Sequence, residues 1–442
     1  MYSADDVRNM AKDENVKYLR MTFTDVLGAL KNIEIPISSL DAALNNQIKI
    51  DGSSIEGFLP IEHSDMLLYP DPDSWEIYPW IDDDNKTAAM ICDVHNQDGS
   101  EFPGDPRTVL KDELAKMNDK GIAQLNIGAE PEFFLFKADE DGNPTMDVND
   151  DAFYFDVEPK DKGVACRRAI VNTLNQMNIH CEADHHEAAA GQHEVDFKYA
   201  DALKTADDVQ MFKLVVKEIA SRYGLAATFM PKPITGINGS GEHFNMSLFD
   251  KDGNNDFYDK DGKEQLSDLA LNYLGGVLKH AKAITAIANP TINSYKRLVP
   301  GYEAPTYIAW GTANRTPLVR VPSGRGIATR LELRSGDPSC NAYLAIAAAL
   351  AAGLDGIDNK IAAPDPVDRN IYDMTADERK AAGITQLPGS LTEALDDLEA
   401  DKVIVDGIGD YACKKFVAAK RHENEIYRTN VSPWEHSYYF DC

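Results

Sequence analysis

The sequence predicts an α+β fold of two domains, and three observations lead to that prediction. Predicted strands and helices are interspersed without the strict strand–helix–strand order of a parallel sheet. The chain has 442 residues, more than one small domain usually contains. Turn signals at residues 102–106, where Asp105 can cap a helix beginning at Pro106, place a domain boundary near residue 102. We therefore expect domains at 1–102 and 103–442.

The first domain is predicted to open with a short helix over residues 5–13. The residues that follow predict a strand at Tyr18–Thr24, a turn, and a hairpin partner at Ala29–Ile35. Asp51–Ser54 is predicted to be a tight polar loop, and Ala88–Val94 has the composition of another strand.

In the second domain, the clearest predicted element is a helix over residues 207–223. Its apolar residues recur at helical spacing, Asp207 with Gln210 resembles a capping box, and Gly224 supplies the stop. The other predicted elements are helices at 106–120 and 163–177, strands around Glu130 and at 194–197, and an acidic loop at 141–151.

The chain is strongly acidic, with 44 Lys and Arg against 73 Asp and Glu and a formal net charge of −29. This balance argues against general binding to nucleic acids or to anionic membranes. Any anionic substrate must therefore meet a local group of arginines. The apolar content of 43% is enough to build a substantial core.

The six cysteines are scattered and none forms a Cys-x-x-Cys pair, which disfavours a disulfide framework and a thiolate zinc site. The N-terminal residues lack the features of a signal peptide, so a reducing cytoplasmic location is expected. The most apolar run, Tyr343–Leu354, is shorter than the roughly 20 residues that span a bilayer. It predicts a buried helix.

Glu130 and Glu132 lie in the run Ala129–Phe136, whose aromatic residues predict a buried strand. Residues two apart share a strand face, so both carboxylates point into one place beside an apolar wall. Like charges are unfavourable there unless a cation joins them, and oxygen ligands suit Mg²⁺ or Mn²⁺. From these residues alone, a metal site and a solvated strand face both remain open.

A second acidic cluster occupies residues 185–197. Glu187 precedes a turn at Gly191, and Glu194 lies in the strand that follows it. The two carboxylates could therefore face one cavity from neighbouring strands. A charged surface hairpin is the alternative.

A third cluster spans residues 238–248 and begins Asn238-Gly-Ser-Gly. Its glycines allow the backbone to approach a ligand closely. His243, Asn245 and Ser247 follow on one face of a predicted strand. A lone histidine in a strand is more often structural than a ligand. His243 is a candidate ligand only because it follows a glycine-rich loop and the chain also contains the two acidic clusters.

Arginines concentrate between residues 297 and 334, against the acidic character of the chain. They are Arg297, Arg315, Arg320, Arg325, Arg330 and Arg334. One interpretation is a surface salt-bridge ladder around Glu332, which would contribute little to stability. The other is a binding site, because arginine forks suit carboxylates and phosphates. Carboxylates for a metal and guanidiniums for phosphate are the parts of metal-dependent phosphoryl transfer. The chain has no Walker-type phosphate loop, so a nucleotide must be held in another way.

Ordered motifs cover essentially the whole chain. They are Asp51-Gly-Ser-Ser-Ile-Glu-Gly57, Glu130-Pro-Glu-Phe-Phe, His185-His-Glu, Gly191-Gln-His-Glu-Val-Asp-Phe, Lys232-Pro, Asn238-Gly-Ser-Gly, Lys296-Arg-Leu-Val-Pro-Gly-Tyr-Glu-Ala-Pro, Asn314-Arg and Leu333-Arg-Ser-Gly-Asp-Pro-Ser. In combination they resemble type I glutamine synthetases of the compact bacterial and archaeal subtype. The resemblance implies a small N-terminal β-grasp domain, a large catalytic domain of curved antiparallel sheet with helices, and a double-ring dodecamer with shared active sites.

The resemblance also implies the roles of individual residues. One divalent ion, Mg²⁺ or Mn²⁺, would be bound by Glu132, Glu187 and Glu194, and a second by Glu130, His243 and Glu332. Glutamate and the transferring phosphate would be held by Asn238, Gly239, His243, Arg297, Arg315 and Arg334, with Tyr154 near the ammonium site. ATP would be bound by Glu182, Asn245, Ser247, Arg320 and Arg330.

The implied reaction joins ammonia to L-glutamate in two steps through γ-glutamyl phosphate, with Arg315 assisting phosphoryl transfer. Asp51 would reach in from the adjacent subunit and take a proton from ammonium. Glu303 would close the site on a mobile flap between Gly301 and Pro305 and keep water from the activated acid.

Four departures from the family pattern qualify these expectations. Glu242 replaces a methionine before the metal-binding histidine, and Pro60 replaces the arginine of feedback-inhibited relatives, so inhibition by glutamine through that arginine is in doubt. Phe153 replaces a glycine before Tyr154. The loop of Tyr372 resembles one that is adenylylated in the longer subtype, but that subtype's insertion is missing here and modification is not expected.

Two rival functions remain at this point. A γ-glutamyl-amine or polyamine ligase would keep the fold and change the acceptor, although Asp51 and Glu303 favour ammonia. A non-catalytic regulatory relative would have lost metal ligands, and all six are retained. Binding of a transcription regulator would be an additional role that no residue shows.

Overall fold

The computed structural model describes residues 2–59, 64–312 and 314–442 and has the predicted α+β architecture. Its helices are α1 (Ala4–Asp13), α2 (Leu40–Leu44), α3 (Pro106–Asp119), α4 (Val164–Gln176), α5 (Ala202–Arg222), α6 (Asp268–Lys279), α7 (Ala281–Ala288), α8 (Ser294–Arg297), α9 (Ala342–Asp358), α10 (Ala376–Ala381), α11 (Leu391–Ala400), α12 (Lys402–Gly407), α13 (Asp410–Thr429) and α14 (Pro433–Tyr439).

Its strands fall into two sheets. They are β1 (Tyr18–Thr24), β2 (Leu30–Pro36), β3 (Ile48–Asp51), β4 (Asp65–Pro70), β5 (Glu76–Ile77) and β6 (Thr87–Asn96) in the first, and β7 (Gln124–Ala138), β8 (Pro144–Val148), β9 (Cys181–His186), β10 (Gln192–Phe197), β11 (Ala200–Asp201), β12 (Leu225–Thr228), β13 (Glu242–Phe249), β14 (Tyr307–Gly311), β15 (Pro317–Arg320), β16 (Leu331–Leu333) and β17 (Thr385–Gln386) in the second.

The first sheet has the strand order β2-β1-β6-β4-β3, with β5 paired to β6. β1 and β2 form the predicted antiparallel hairpin, while β1 and β6 run parallel. A capping box of Ser3 and Asp6 starts α1, which buries Val7 and Ala11 against this sheet. The apolar faces of helix and sheet share a core of their own.

The second sheet has the order β17-β14-β15-β16-β13-β7-β10-β9. The long strand β7 is its centre, because β8, β11 and β12 pair with it as well as β10 and β13. The Glu130 strand is therefore confirmed. Residues 141–151, expected to be a loop, contain β8, because this acidic segment pairs with the free portion of β7 near Phe136.

Helices cover the second sheet, and α9 is buried along most of its length. It packs against α3, α6 and α12, and its residues from Ala342 to Leu354 are all buried, which confirms the buried helix predicted for this run. Within the described residues, no helix is long and apolar enough to cross a membrane.

The predicted start of α5 is wrong by five residues. Asp201, not Asp207, caps this helix, and its carboxylate accepts a hydrogen bond from the backbone N–H of Leu203 at 3.0 Å. Asp207 instead lies inside α5, where it accepts hydrogen bonds from Tyr343 (2.6 Å) and Arg107. The local sequence of Asp207 resembles a helix cap, but its carboxylate instead forms a long-range ion pair with Arg107.

Arg107, on α3, joins the two domains. Its guanidinium is 3% exposed and forms ion pairs with Asp71 (2.6 Å) and Asp93 (2.8 Å) of the first domain and with Asp207 (3.0 Å) of the second. We call these four residues the junction cluster.

Candidate active site

A cavity of about 690 Å³ opens on the face of the second sheet that carries the predicted carboxylates. The site residues predicted from the sequence that line it are Glu130, Glu132, Tyr154, Glu187, Glu194, Asn238, Gly239, His243, Arg297, Glu303, Arg315, Arg320, Glu332 and Arg334. Segments as distant as residues 130 and 334 therefore meet in one place.

Strand register explains this convergence. Glu132 of β7 stands opposite Glu194 of β10, and Glu130 stands opposite His243 of β13. Because alternate residues of a strand share a face, these side chains point to the same side of the sheet. β16 continues the row, with Glu332 opposite Asn245.

Glu130, His243 and Glu332 form the first ligand cluster, with their nearest oxygen and nitrogen atoms within 4.8 Å of one another. His243 Nδ1 lies 3.2 Å from Glu130 Oε2 and 3.6 Å from Glu332 Oε1. Burial opposes ionisation of Glu130, but hydrogen bonds to His243 and Asn245 and the nearby positive charges together outweigh it and lower the Glu130 pKa to about 2. The cluster thus presents an ionised carboxylate beside an imidazole.

The second ligand cluster contains His185, Glu187 and Glu194. Burial, together with the charges of Glu132 and Asp196, raises the pKa of Glu194 well above its ordinary range. Glu187 has a lowered pKa, because hydrogen bonds from His185 (2.9 Å) and from a backbone N–H outweigh its burial.

Glu132 faces this second cluster from β7. Its Oε2 accepts hydrogen bonds from Gln192 (2.7 Å) and from the backbone N–H of Gly241 (2.9 Å). Burial and the charge of Glu187 raise the pKa of Glu132 to about 8. Two hydrogen bonds therefore do not balance the like charges, and a divalent cation is the group that this donor set fits.

Arginines stand beside the first ligand cluster and form a basic wall of the cavity. Arg334 and Arg320 both donate to Glu332, and Arg297, 3% exposed, donates to the carbonyl oxygen of Ser335 at 2.7 Å. Arg334 Nε is buried and has no hydrogen-bond partner among the described residues. The wall therefore keeps cationic hydrogen-bond donors available to an anion in the cavity.

Gly241 lets Arg297 approach the ligand clusters. A Cβ atom at this position would lie 2.6 Å from Arg297 Nη2 and 3.1 Å from His243 Nε2. A larger residue would displace the guanidinium, so steric crowding explains why the last position of the Asn238-Gly-Ser-Gly motif is a glycine.

Residues 301–305, which we call the flap, cover one side of the cavity. Glu303 Oε2 accepts a hydrogen bond from Asn238 Nδ2 at 3.0 Å. Nearby, Arg315 lies beside the Tyr154 hydroxyl and partly offsets the burial that raises the pKa of Tyr154.

Five predicted site residues do not line this cavity. Asn245 and Arg330 stand just behind it: Asn245 donates to Glu130 at 2.9 Å and accepts from Arg330 at 3.0 Å. Ser247 lies further along β13, opposite Asn126. Glu182 is exposed on β9 where the pairing with β10 is irregular.

Asp51 is the fifth. It ends β3 in the first domain, is exposed, and accepts hydrogen bonds from the backbone N–H (2.9 Å) and hydroxyl (2.6 Å) of Ser53. These hydrogen bonds lower the pKa of Asp51, so the carboxylate is ionised at neutral pH.

Sequence reasoning missed several lining residues, which include Phe153, His185, Gln192, Asp196, Tyr302, Thr316 and Tyr372. Strand alternation could have identified two of them, because Gln192 and Asp196 flank Glu194 at a spacing of two in β10. The loop of Tyr372 was recognisable by its resemblance to a family loop, but no local pattern indicated that this tyrosine lines the cavity.

Behind the second ligand cluster lies a third group of potential ligands, Asp150, His186 and His193. His186 is hydrogen-bonded to Asp150 (2.8 Å) and to the Glu187 carbonyl oxygen (2.7 Å), so it supports the backbone of a cavity residue. Arg167 donates to His193 at 2.9 Å, and its charge disfavours a cation there.

This combination of fold and site defines a class: carboxylate–histidine clusters that share one cavity with arginines are typical of metal-dependent phosphoryl-transfer enzymes. Comparisons with known proteins identify the family. Residues 15–97 match the family model "Glutamine synthetase, beta-Grasp domain" and residues 103–439 match "Glutamine synthetase, catalytic domain". The chain belongs to the glutamine synthetase family, and the two expected kinds of domain are confirmed.

Similar curated proteins include glutamine synthetases of Staphylococcus epidermidis, 54% identical, and of Staphylococcus aureus, 53% identical. Each match extends over 438 residues and covers 99% of this chain and 98% of the relative. Among solved structures, the ADP complex of GmaS has a TM-score of 0.90 and 35% identity, with 99% of this chain and 100% of that chain covered. Glutamine synthetase of Plasmodium falciparum has a TM-score of 0.87 and 26% identity, with 99% of each chain covered.

Proposed function

We propose that this enzyme ligates ammonia to L-glutamate with ATP, giving L-glutamine, ADP and phosphate. The observation that carries the proposal is the single cavity in which two ligand clusters face Arg297 and Arg334 beneath the flap. Full-length similarity to curated glutamine synthetases supports it.

We assign Glu132, Glu187 and Glu194 to one divalent ion and Glu130, His243 and Glu332 to a second. Carboxylate oxygens predominate in both sets of ligands, and such donors suit Mg²⁺ or Mn²⁺. Bound ions would neutralise charge on phosphate oxygens and on the glutamate side chain. The raised pKa of Glu132 supports the assignment, because a cation would relieve the repulsion that raises it.

Substrate binding is assigned to the basic wall and the loop before β13. Arg297 and Arg334, both buried, would hold carboxylate or phosphate oxygens. Asn238 and Gly239 would bind glutamate, with His243 nearby. Arg315 would stabilise the transferring phosphate, and Tyr154 would flank the ammonium site.

We assign nucleotide binding to Glu182, Asn245, Ser247, Arg320 and Arg330. The hydrogen-bonded chain from Arg330 through Asn245 to Glu130 supports this, because it links a cationic side chain at the cavity edge to a ligand cluster. The similarity to GmaS, whose solved complex contains ADP, also supports a nucleotide site in this fold.

In the proposed reaction, the γ-carboxylate of glutamate attacks the γ-phosphate of ATP, and ADP leaves. Ammonia then attacks the carbonyl carbon of γ-glutamyl phosphate, a C–N bond forms, and phosphate departs as the C–O bond breaks. Asp51 would take the proton of ammonium, and Glu303 on the flap would keep water out.

Asp51 can serve a cavity only if a neighbouring subunit supplies it, since in its own chain it lies outside the cavity. We therefore propose a homo-oligomer with shared sites, a dodecamer of two hexameric rings, in the cytoplasm. We also propose 1–102 and 103–442 as the domain bounds. The two family models match residues 15–97 and 103–439, each within one of these ranges, which supports the proposal. Binding of a transcription regulator is left without structural support.

The family departures fall in different places. Glu242 is fully buried beside Lys213 (3.6 Å) and Cys340, outside the cavity lining. Pro60 lies outside the described residues. Tyr372 faces the cavity, and we do not expect it to be modified.

The test is phosphate release from ATP and glutamate, with and without ammonium, accompanied by detection of glutamine. We expect release to depend on ammonium, and independence from ammonium would overturn the proposal. Replacing ammonium by methylamine or a polyamine tests the alternative γ-glutamyl-amine ligase. Asp51→Ala should lose ammonia-dependent turnover far more than ATP binding, and equal loss of both would contradict its assigned role.

A further inference from the structure

The flap has a backbone conformation that needs support. Glu303 has a φ of +59°, in the left-handed region that side chains other than glycine rarely adopt. Residues persist there when their surroundings hold them in place. The question is which contacts hold Glu303 and its neighbours over the cavity.

Three consecutive flap residues contact two parts of the catalytic domain, the segment between β12 and β13 and the segment of Tyr372. The Tyr302 ring lies 3.8 Å from Lys232 Nζ, and Glu303 accepts a hydrogen bond from Asn238 at 3.0 Å. The carbonyl oxygen of Ala304 accepts a hydrogen bond from the Tyr372 hydroxyl at 2.6 Å.

Tyr372 is itself held firmly. Its backbone N–H donates to the Asn370 side chain at 3.0 Å, and its neighbour Ile371 is fully buried in a cluster with Tyr307 and Met374. Burial raises the pKa of the Tyr372 hydroxyl, so this group keeps its proton at neutral pH and can donate it in a hydrogen bond. A rigid donor therefore meets the flap at the point where it rejoins β14.

We propose that the Tyr372 hydroxyl is a positioning group that holds the flap closed and so protects the acyl phosphate from water. The contact is with the backbone of Ala304, so it fixes the flap without touching substrate. The inference rests on the proposed function for its chemical consequence, but the hydrogen bond itself is independent of the reaction.

The consequence concerns how γ-glutamyl phosphate is consumed. With the flap closed, ammonia attacks the carbonyl carbon and gives glutamine and phosphate. With the flap open, water attacks the same carbon: a C–O bond to the water oxygen forms, the C–O bond to phosphate breaks, and the products are glutamate and phosphate. A looser flap therefore raises the phosphate released per glutamine formed.

The first experiment measures hydrogen exchange of flap amides in Tyr372→Phe, in the absence of substrates. This variant loses only the hydroxyl, and one neutral hydrogen bond corresponds to about a fivefold change in an equilibrium. Ala304 is the flap residue whose amide is buried, and we expect this amide to exchange about fivefold faster. Tyr307→Phe is the matched control, because its ring lies 5.7 Å from that of Tyr372 and the change is chemically the same. Equal exchange in wild type and Tyr372→Phe would show that the Tyr372 hydroxyl does not hold the flap closed.

The second experiment measures phosphate and glutamine together at limiting ammonium. In Tyr372→Phe we expect the phosphate released in excess of glutamine, per glutamine formed, to rise by up to about fivefold, while this excess for Tyr307→Phe stays at the wild-type value. Faster exchange with an unchanged ratio would overturn the protective role. If wild type makes no glutamine, the proposed function fails. The exchange result still decides whether the Tyr372 hydroxyl holds the flap closed.

A second pair of variants tests the flap if Tyr372→Phe folds poorly. Tyr302→Leu removes the ring that faces Lys232, whereas Tyr302→Phe keeps it. We expect faster flap exchange and a raised phosphate-to-glutamine ratio only in Tyr302→Leu. The same behaviour in both variants, or in neither, would contradict a flap held by these contacts.

Discussion

The junction cluster and the acidic half of the cavity are both groups of buried charges, but their charges are balanced differently. At the junction, one guanidinium meets three carboxylates, and Lys111 adds a second cation on Asp93 at 2.5 Å. Burial opposes ionisation of Asp93, yet Arg107 and Lys111 outweigh it and lower the Asp93 pKa.

In the cavity, the carboxylates face one another. Burial and neighbouring acids raise the pKa of both Glu132 and Glu194, even though Glu132 accepts two hydrogen bonds. A structural cluster thus contains its own counter-charge, whereas the proposed ligand site leaves negative charge for a cation to neutralise. Four substitutions test this distinction.

The largest expected effect is on the junction. Arg107→Met should lower the free energy of unfolding by about 3–5 kcal/mol, because it leaves buried carboxylates without their partner. Chemical denaturation of the purified protein measures this change. A loss below about 1 kcal/mol would mean that the junction carboxylates do not need the guanidinium.

Glu132→Gln should have the opposite signature. Removing one of several facing acids should leave the metal-free protein as stable as before, or more stable, while Mn²⁺ binding weakens by about 10- to 100-fold. Titration with Mn²⁺ measures the affinity, and chemical denaturation measures the stability.

The matched control is Glu76→Gln, since burial also raises the pKa of this glutamate, to about 7, but it lies on β5 outside the cavity. Its Mn²⁺ titration should match the wild type. Unchanged Mn²⁺ binding in Glu132→Gln would remove Glu132 from the proposed ligands.

The contrast between local and distant interactions also explains what could be predicted from the sequence. The hairpin at residues 18–36, the strand of Glu130 and the buried α9 follow from local periodicity. The capping role expected for Asp207 failed because its partners, Arg107 and Tyr343, are about a hundred residues or more away.

The same holds in the cavity. The carboxylates and arginines were identifiable as residue types at fixed spacing, and family motifs placed them in one site. The contacts that shape the site were not: no local pattern links Gln192 to Glu132, or Tyr372 to the flap. These contacts depend on strand register and loop packing, which a single segment does not encode.

Asp105, the N-cap residue of α3 beside the junction cluster, should make the stability depend on pH. Burial and the charge of Asp93 raise the pKa of Asp105 from 3.8 to about 7. Between these values the folded chain binds more protons than the unfolded chain, so the free energy of unfolding falls as pH rises. This contribution is fully present below the unfolded pKa and is lost as pH rises through about 7.

Asp105→Asn should remove that part of the pH dependence, which amounts to at most about 1.4 kcal/mol per pH unit. Denaturation midpoints across this range measure it. If stability depends on pH with the same slope in wild type and variant, Asp105 is ionised in the folded protein. The cations of the junction would then offset the charge of Asp105 too.

The smallest effect is expected at the surface. Arg421 also bridges two carboxylates, Asp396 at 2.7 Å and Glu399, but its side chain is 38% exposed and both partners are more exposed still. Water solvates these charges in both states, so Arg421→Met should change the free energy of unfolding by about 1 kcal/mol or less. The same denaturation experiment compares it directly with Arg107→Met. If the two substitutions lower the free energy of unfolding equally, burial is not the reason that the junction cluster stabilises the protein. The difference between the buried and the exposed charge cluster would then be one of geometry alone.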